Sequence, residues 1–299
     1  MTRSFTSAAT LEEAVAAIGH GARPVAGGTD LVVGGRQGKK SLPEAIVAID
    51  RIEALRGLTT NGAGLHLGAL ATHAAIVAND DVRSRYTALA DSSAIVGSHA
   101  TRAHGTIGGN IMNASPAMDT GGALLCFGAT VTLRSAVGER VVAVSDLWTG
   151  PGTTSAAEEL LVGVELPAPA AGTGSAYVRL EYRRQMEIAV VGATAVVTAA
   201  GDAASVTDAR IAITALAPTI RRVAEGEQAL IGTDGGDDAV AAAARAVAAG
   251  SAPIGDVRAS VDYRTAMAEV VARRAIAGAL ARARGETLPI PASDALYGA

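Results

Sequence analysis

Apolar residues recur at helical spacing through Leu11-Glu12-Glu13-Ala14-Val15-Ala16-Ala17-Ile18, and Thr10 ahead of them, with Glu13 three residues on, has the form of a capping box. Arg23 to Ala26 then reads as a short strand, and Leu31-Val32-Val33 after Gly27-Gly28 as the start of a helix. Glu44 to Asp50 suits a second strand, Arg51 to Leu55 a turn, and the alternation in Gly64 to Gly68 a third strand. Thr72 to Asn79, Asp81 to Asp91 and Ser93 to Ala100 read as short helices leading into a loop from Gly105 to Asp119. Thr130 to Leu133, Arg140 to Val142 and Leu160 to Leu166 read as strands. Pro167 to Gly174 is a linker by its Pro/Gly/Ala composition. Beyond it, Ala176 to Tyr182, Ala189 to Ala199 and Ala209 to Leu216 suit strands, while Arg221 to Ile231, Asp237 to Ala249 and Asp262 to Arg284 suit helices. Three strands followed by three helices indicate a compact α+β unit.

Composition narrows the class. An apolar fraction of 49% over 299 residues suits a folded chain of two domains or one large one. Aromatics make up only 3%, so the cores must pack small side chains. A net charge of −4 lacks the basic excess that general nucleic-acid binding needs. The single cysteine, Cys126, excludes an internal disulfide, a Cys-based zinc site and an iron–sulfur cluster held by this chain, and its apolar surroundings read as core. Histidines 20, 66, 73, 99 and 104 lack metal-ligand spacing. No apolar run reaches the roughly 20 residues of a membrane span, and no secretory leader is evident, so the expected location is the cytoplasm.

Two stretches carry candidate chemistry. Pro24-Val25-Ala26-Gly27-Gly28-Thr29-Asp30-Leu31 and Gly105-Thr106-Ile107-Gly108-Gly109-Asn110 each place a Gly-Gly pair beside small polar residues. Paired glycines permit φ > 0 and close backbone approach, so each stretch is a candidate nest of N–H groups for an anion. Two such nests suit an extended ligand with a central pyrophosphate. Gly34 to Lys40 fails as a P-loop, because Val33 stands where its first glycine belongs and Lys40 takes the Ser/Thr position; Lys39 and Lys40 read as a solvated turn. Gly62 to Gly68 is not a Rossmann fingerprint.

The two loops, in this order, resemble those of the FAD-binding medium subunits of the molybdenum hydroxylase family, the carbon monoxide dehydrogenase and xanthine dehydrogenase type. The resemblance continues through Ala114-Ser115-Pro116-Ala117-Met118-Asp119, Glu158 to Pro167, Tyr177 to Ala189, Ala217-Pro218-Thr219 with Arg221 and Arg222, and Asp262-Tyr263-Arg264. Arg179 replaces the usual lysine and Glu187 the usual aspartate, both keeping the charge.

The resemblance implies an α+β chain. A PCMH-type FAD-binding domain at 1–168, in subdomains of about 1–56 and 57–168, would lead through a linker at 169–174 to a C-terminal domain at 175–290 with a three-stranded antiparallel sheet and a helix bundle. It implies dissociable, non-covalent FAD. Pro24, Val25, Ala26, Gly27, Gly28, Thr29, Asp30 and Leu31 would hold pyrophosphate and ribitol, and Thr106, Gly108, Gly109 and Asn110 would form the second clamp. Asp119 would meet the ribose or a nearby hydroxyl, Val96 and Leu161 would lie by the isoalloxazine, and Arg179 would offer it positive charge. Alternatives stay open: Asp30 and Asp119 as N-caps, Leu161 as core, Arg179 as a surface strand charge, and Arg183 with Glu187 as a local ion pair. A molybdopterin-binding large subunit would oxidise substrate, and a small subunit with [2Fe–2S] centres would pass electrons to the FAD and on to an external acceptor. A single-chain FAD reductase of similar fold is the alternative. The chain itself holds no metal ligands and no catalytic acid, base or nucleophile under this reading.

Overall fold

The structure, a computed structural model, describes residues 3–38, 41–201 and 205–296. Lys39 and Lys40 lie outside the described residues.

The chain opens with β1 (Ser4–Ser7), α1 (Leu11–Gly19), β2 (Arg23–Val25), α2 (Thr29–Arg36) and β3 (Ala45–Ala48). These strands pair in parallel in the order β1-β3-β2. The capping box forms as the sequence suggests: Glu13 N–H donates to Thr10 Oγ1 at 3.2 Å, and Glu13 Oε2 reaches back to Ala9 N–H at 2.7 Å. A short 3-10 turn at Glu53–Leu55 then leads to β4 (Leu58–Asn61) and β5 (Gly64–Gly68).

Six helices follow: α3 (His73–Ala78), α4 (Asp80–Arg85), α5 (Thr87–Ala94), α6 (His99–His104), α7 (Ile107–Asn113) and α8 (Asp119–Cys126). The sequence pattern merges some of these, and local chemistry separates them. Asn79 both ends α3 and caps α4, its Oδ1 accepting from Val82 N–H at 3.0 Å. Tyr86 breaks the expected Asp81–Asp91 helix, with its ring edge-on to Phe127 (centroids 5.1 Å apart) and its hydroxyl donating to Pro167 O at 3.2 Å. In the expected Ser93–Ala100 helix, α5 stops at Ala94 with Ile95 as its C-cap, Gly97 at φ +54° turns the chain, and α6 starts afresh at His99. The expected loop from Gly105 to Asp119 is in fact α7, a turn, and the start of α8.

Next come β6 (Thr130–Ser135), β7 (Gly138–Ala143), α9 (Val144–Leu147), the short hairpin β8 (Trp148–Gly150) and β9 (Thr153–Thr154), and β10 (Leu160–Pro167). Strands β4-β5-β10-β6-β7 form a five-stranded antiparallel sheet.

The remainder comprises β11 (Thr173–Leu180), β12 (Val191–Ala199), β13 (Val206–Thr214), β14 (Arg221–Arg222), α10 (Ala224–Gln228), α11 (Asp237–Ala249), α12 (Val261–Ala283) and α13 (Ser293–Leu296). The antiparallel sheet β11-β12-β13-β14 has a fourth strand beyond the three expected, because Arg221 and Arg222 pair with Ile213 and Ala212 before the helix begins. The helix read over Arg221 to Ile231 is therefore shortened to α10. Small residues let α12 lie close on β11 and β12: Ala268, Ala272, Ala275 and Ala279 share one buried face, and a Cβ on Gly174 would stand 2.2 Å from Ala283 N. One core runs through the N-terminal elements and takes in Tyr177, Val196, Ala212 and Ile220; a second lies between the β11–β14 sheet and its helices.

Candidate functional site

The first Gly-Gly stretch is a strand–turn–helix. β2 ends at Val25, Gly28 adopts φ +68° as the N-cap of α2, and no side chain caps that helix. The first-turn N–H groups of such a helix have no partner within it and attract an anion. Thr29 opens α2 with Asp30 beside it, so Asp30 lies in the first turn and is not its cap.

Gly27 is fixed by tertiary contact. A Cβ there would stand 1.8 Å from the carbonyl oxygen of His104 and 3.3 Å from Gly105 N. A Cβ on Gly105 would in turn lie 3.8 Å from Thr29 Oγ1. Backbone from the two stretches therefore touches, though some eighty positions separate them.

The second stretch works differently from a nest. Neither Gly108 nor Gly109 has a positive φ. Ile107 N–H donates to Ala71 O at 2.9 Å, Gly108 N–H to Ala69 O at 3.0 Å, and Gly109 N–H to the capping Thr106 Oγ1 at 3.1 Å. These donors are occupied by the protein, and Gly108 is needed because a Cβ would meet Ala69 O at 2.7 Å. What α7 offers outward is the exposed backbone of Gly109 and the amide of Asn110, whose Oδ1 accepts from Thr120 Oγ1 at 2.6 Å, orienting the NH₂ as a donor.

Asp119 begins α8 and is not its N-cap, which is Met118. Its carboxylate is buried, with Oδ1 accepting from Tyr177 Oη at 2.7 Å and Oδ2 paired with Arg179 Nη1 at 2.8 Å. Both oxygens are thus engaged by β11. Arg179 is fully buried, not a surface charge, and its guanidinium also bonds Glu181. Burial opposes that charge, but Asp119, Tyr177 and Glu181 outweigh it and raise the pKa of Arg179. Burial pushes the Asp119 carboxyl up from its ordinary range, and the charge of Arg179 and the hydrogen bonds from Tyr177 and Arg179 oppose that rise. Arg183 and Glu187 do form a local pair, at 3.1 Å.

Val96 is half-buried, and its carbonyl accepts from Arg102 Nη1 at 3.1 Å. Burial, and then the charge of Arg179, lower the pKa of Arg102. Leu161 is buried in β10 within the N-terminal core. Sequence reasoning missed His73, which is buried under Gly105: its ring Cδ2 would lie 3.4 Å from a Cβ there, and its backbone N–H donates to Gly105 O at 3.1 Å. Only tertiary structure reveals it, since the residue stands alone in an apolar helix.

Residues 1–169 match the family model for the FAD-binding domain in molybdopterin dehydrogenase, and residues 176–279 match that for the CO dehydrogenase flavoprotein C-terminal domain. The chain belongs to this flavoprotein family. It is 32% identical over 268 residues to the carbon monoxide dehydrogenase medium chain of Afipia carboxidovorans, covering 89% of this chain and 92% of that one. The xanthine dehydrogenase FAD-binding subunit of Escherichia coli is 27% identical, with 95% and 98% covered. The carbon monoxide dehydrogenase structure from Hydrogenophaga pseudoflava that lacks the Mo-pyranopterin moiety superposes with a TM-score of 0.89 at 32% identity, covering 94% of this chain and 98% of its own.

Members of this family are oxidoreductase subunits that bind FAD, and the first stretch fits that group: a helix start without a side-chain cap, a left-handed Gly28, and a Gly27 whose missing Cβ lets the backbone of His104 and Gly105 close against it. Among the described residues no group of three or more His, Cys, Asp or Glu is placed to hold a metal, and no helix is long and apolar enough to cross a membrane.

Proposed function

We propose that the chain is the FAD-carrying electron-transfer subunit of a molybdenum-containing hydroxylase complex. It would stand between the [2Fe–2S] centres of a small partner subunit and an external acceptor, while substrate is oxidised on a molybdopterin-binding large subunit. The observation that carries this reading is the contact of Gly27 with His104, which seats the uncapped start of α2 against the segment leading to Thr106.

In this reading the first-turn N–H groups of α2 receive the pyrophosphate, and Thr29 and Asn110 add side-chain donors around it. The Asp119–Arg179 pair locks α8 to β11, and Ala215 N–H donating to Pro116 O at 2.8 Å holds the turn between α7 and α8. FAD, when bound, supplies one- and two-electron transfer. The division into an FAD-binding part at 1–168 and a C-terminal part at 175–290 belongs to the proposal; the five-stranded sheet ends at Pro167 and β11 opens at Thr173.

Purification of the tagged chain from its own host tests this. The expected product holds acid-released flavin, iron–sulfur absorbance and two further polypeptides. A solitary flavin-containing chain that oxidises NAD(P)H with a small substrate would overturn it in favour of a self-sufficient reductase.

A further inference from the structure

On the side of α6 beside Val96, the helices α3 to α6, the residues after β11 and the segment at 290–294 line an open cleft of about 610 Å³. Its walls are apolar at Val77, Ile95 and Ile290, and Arg83 and Arg184 stand at its mouth. One charged side chain in its lining, Arg102, lacks the partner its burial calls for. Arg102 is only 8% exposed, yet its one hydrogen bond is to Val96 O, and among the described residues no carboxylate pairs with it.

A guanidinium this buried is ordinarily paired with an acid. The two carboxylates of the lining are already engaged, Glu181 by Arg179 and Asp294 by Arg184 at 3.1 Å. Burial, and then the like charge of Arg179, depress the pKa of Arg102, the direction expected of a cation without a counter-ion.

We propose that the cleft binds a small organic monocarboxylate, its carboxylate on Arg102 and its apolar body against Val77, Ile95 and Ile290. The planar guanidinium fork matches a carboxylate at two points. The volume suits a small molecule, and the apolar walls favour an organic acid over a bare inorganic anion. Occupancy would bridge α6 to the segment at 290–294.

The test is titration of benzoate into the full chain, followed by calorimetry and by the shift in unfolding temperature, with flavin content measured in parallel by acid release. Saturable binding is expected, weakened about tenfold or more in Arg102→Gln. Ala94→Trp, which fills the cleft without altering its polar groups, should abolish binding and stands as the test if Arg102→Gln does not fold. Sulfate should bind more weakly than benzoate. The proposal is overturned by no saturable benzoate binding up to about 10 mM, by unchanged affinity in the variants, or by sulfate binding as tightly as benzoate. The flavin measurement keeps such a failure separate from any failure of the FAD reading.

Discussion

Asp91 and Arg282, 191 positions apart, meet in a two-point ion pair, Nη1 to Oδ2 at 2.6 Å and Nη2 to Oδ1 at 3.0 Å. The same carboxylate accepts from Tyr177 N–H at 3.1 Å and Ala292 N–H at 2.9 Å. One fully buried side chain on α5 therefore fastens β11, α12 and the segment before α13. Asp91→Ala strands a guanidinium and two amides, and should cost about 3–5 kcal/mol in urea unfolding. Asp91→Leu combined with Arg282→Leu should recover part of that loss, since the stranded charge goes too. A single-variant cost below about 1 kcal/mol would contradict the clamp.

The Asp119–Arg179 pair makes the second tie between the halves. Asp119→Ala should destabilise by about 3–5 kcal/mol, and Tyr177→Phe, which removes one neutral donor, by about 1–3 kcal/mol. Denaturant midpoints check the ranking, and a larger cost for Tyr177→Phe than for Asp119→Ala would reverse the energetic account.

These ties mark the boundary of what the sequence discloses. The helix α11 is readable because its apolar repeat and its flanking glycines are local, and so is the Arg183–Glu187 pair four residues apart. Helix α7 is hidden, since Gly108 and Gly109 are poor helix formers and its first turn is held by the carbonyls of Ala69 and Ala71. Strand β14 is hidden for a related reason: two residues acquire strand geometry only from the edge of β13. At the candidate site, the glycine pairs are visible as motifs, but their different uses are not. Gly28 needs its φ, whereas Gly27 and Gly108 need the room. That Asp119 faces Arg179, 60 positions later, follows from packing alone.

His73 gives the fold an acid sensitivity. Burial, and then the charge of Arg102, lower its pKa from 6.5 to about 4. The folded state thus refuses a proton that the unfolded state accepts below pH 6.5, so stability falls as pH drops from there towards 4. The full window is worth about 3 kcal/mol. Unfolding curves of wild type and His73→Phe across this range should diverge, with the variant flatter; parallel curves would remove His73 as the source.

Cys126 lies fully buried, and burial pushes its thiol far above the ordinary range, helped by Glu227. The native chain should resist iodoacetamide at neutral pH and label readily in urea. Rapid stoichiometric labelling of native protein would show that the α8 core opens.

The most direct measurement of the central claim is FAD bound per chain in wild type, Gly27→Ala and Gly62→Ala. Gly62 has nothing within 4 Å of the added methyl, whereas Gly27 would drive it to 1.8 Å from His104 O. Wild type and Gly62→Ala should carry acid-releasable FAD at equal stoichiometry, and Gly27→Ala should lose about tenfold or more in affinity, the scale of a misplaced hydrogen bond to a charged group. Flavin-free wild type, or FAD retained undiminished in Gly27→Ala, would contradict the account.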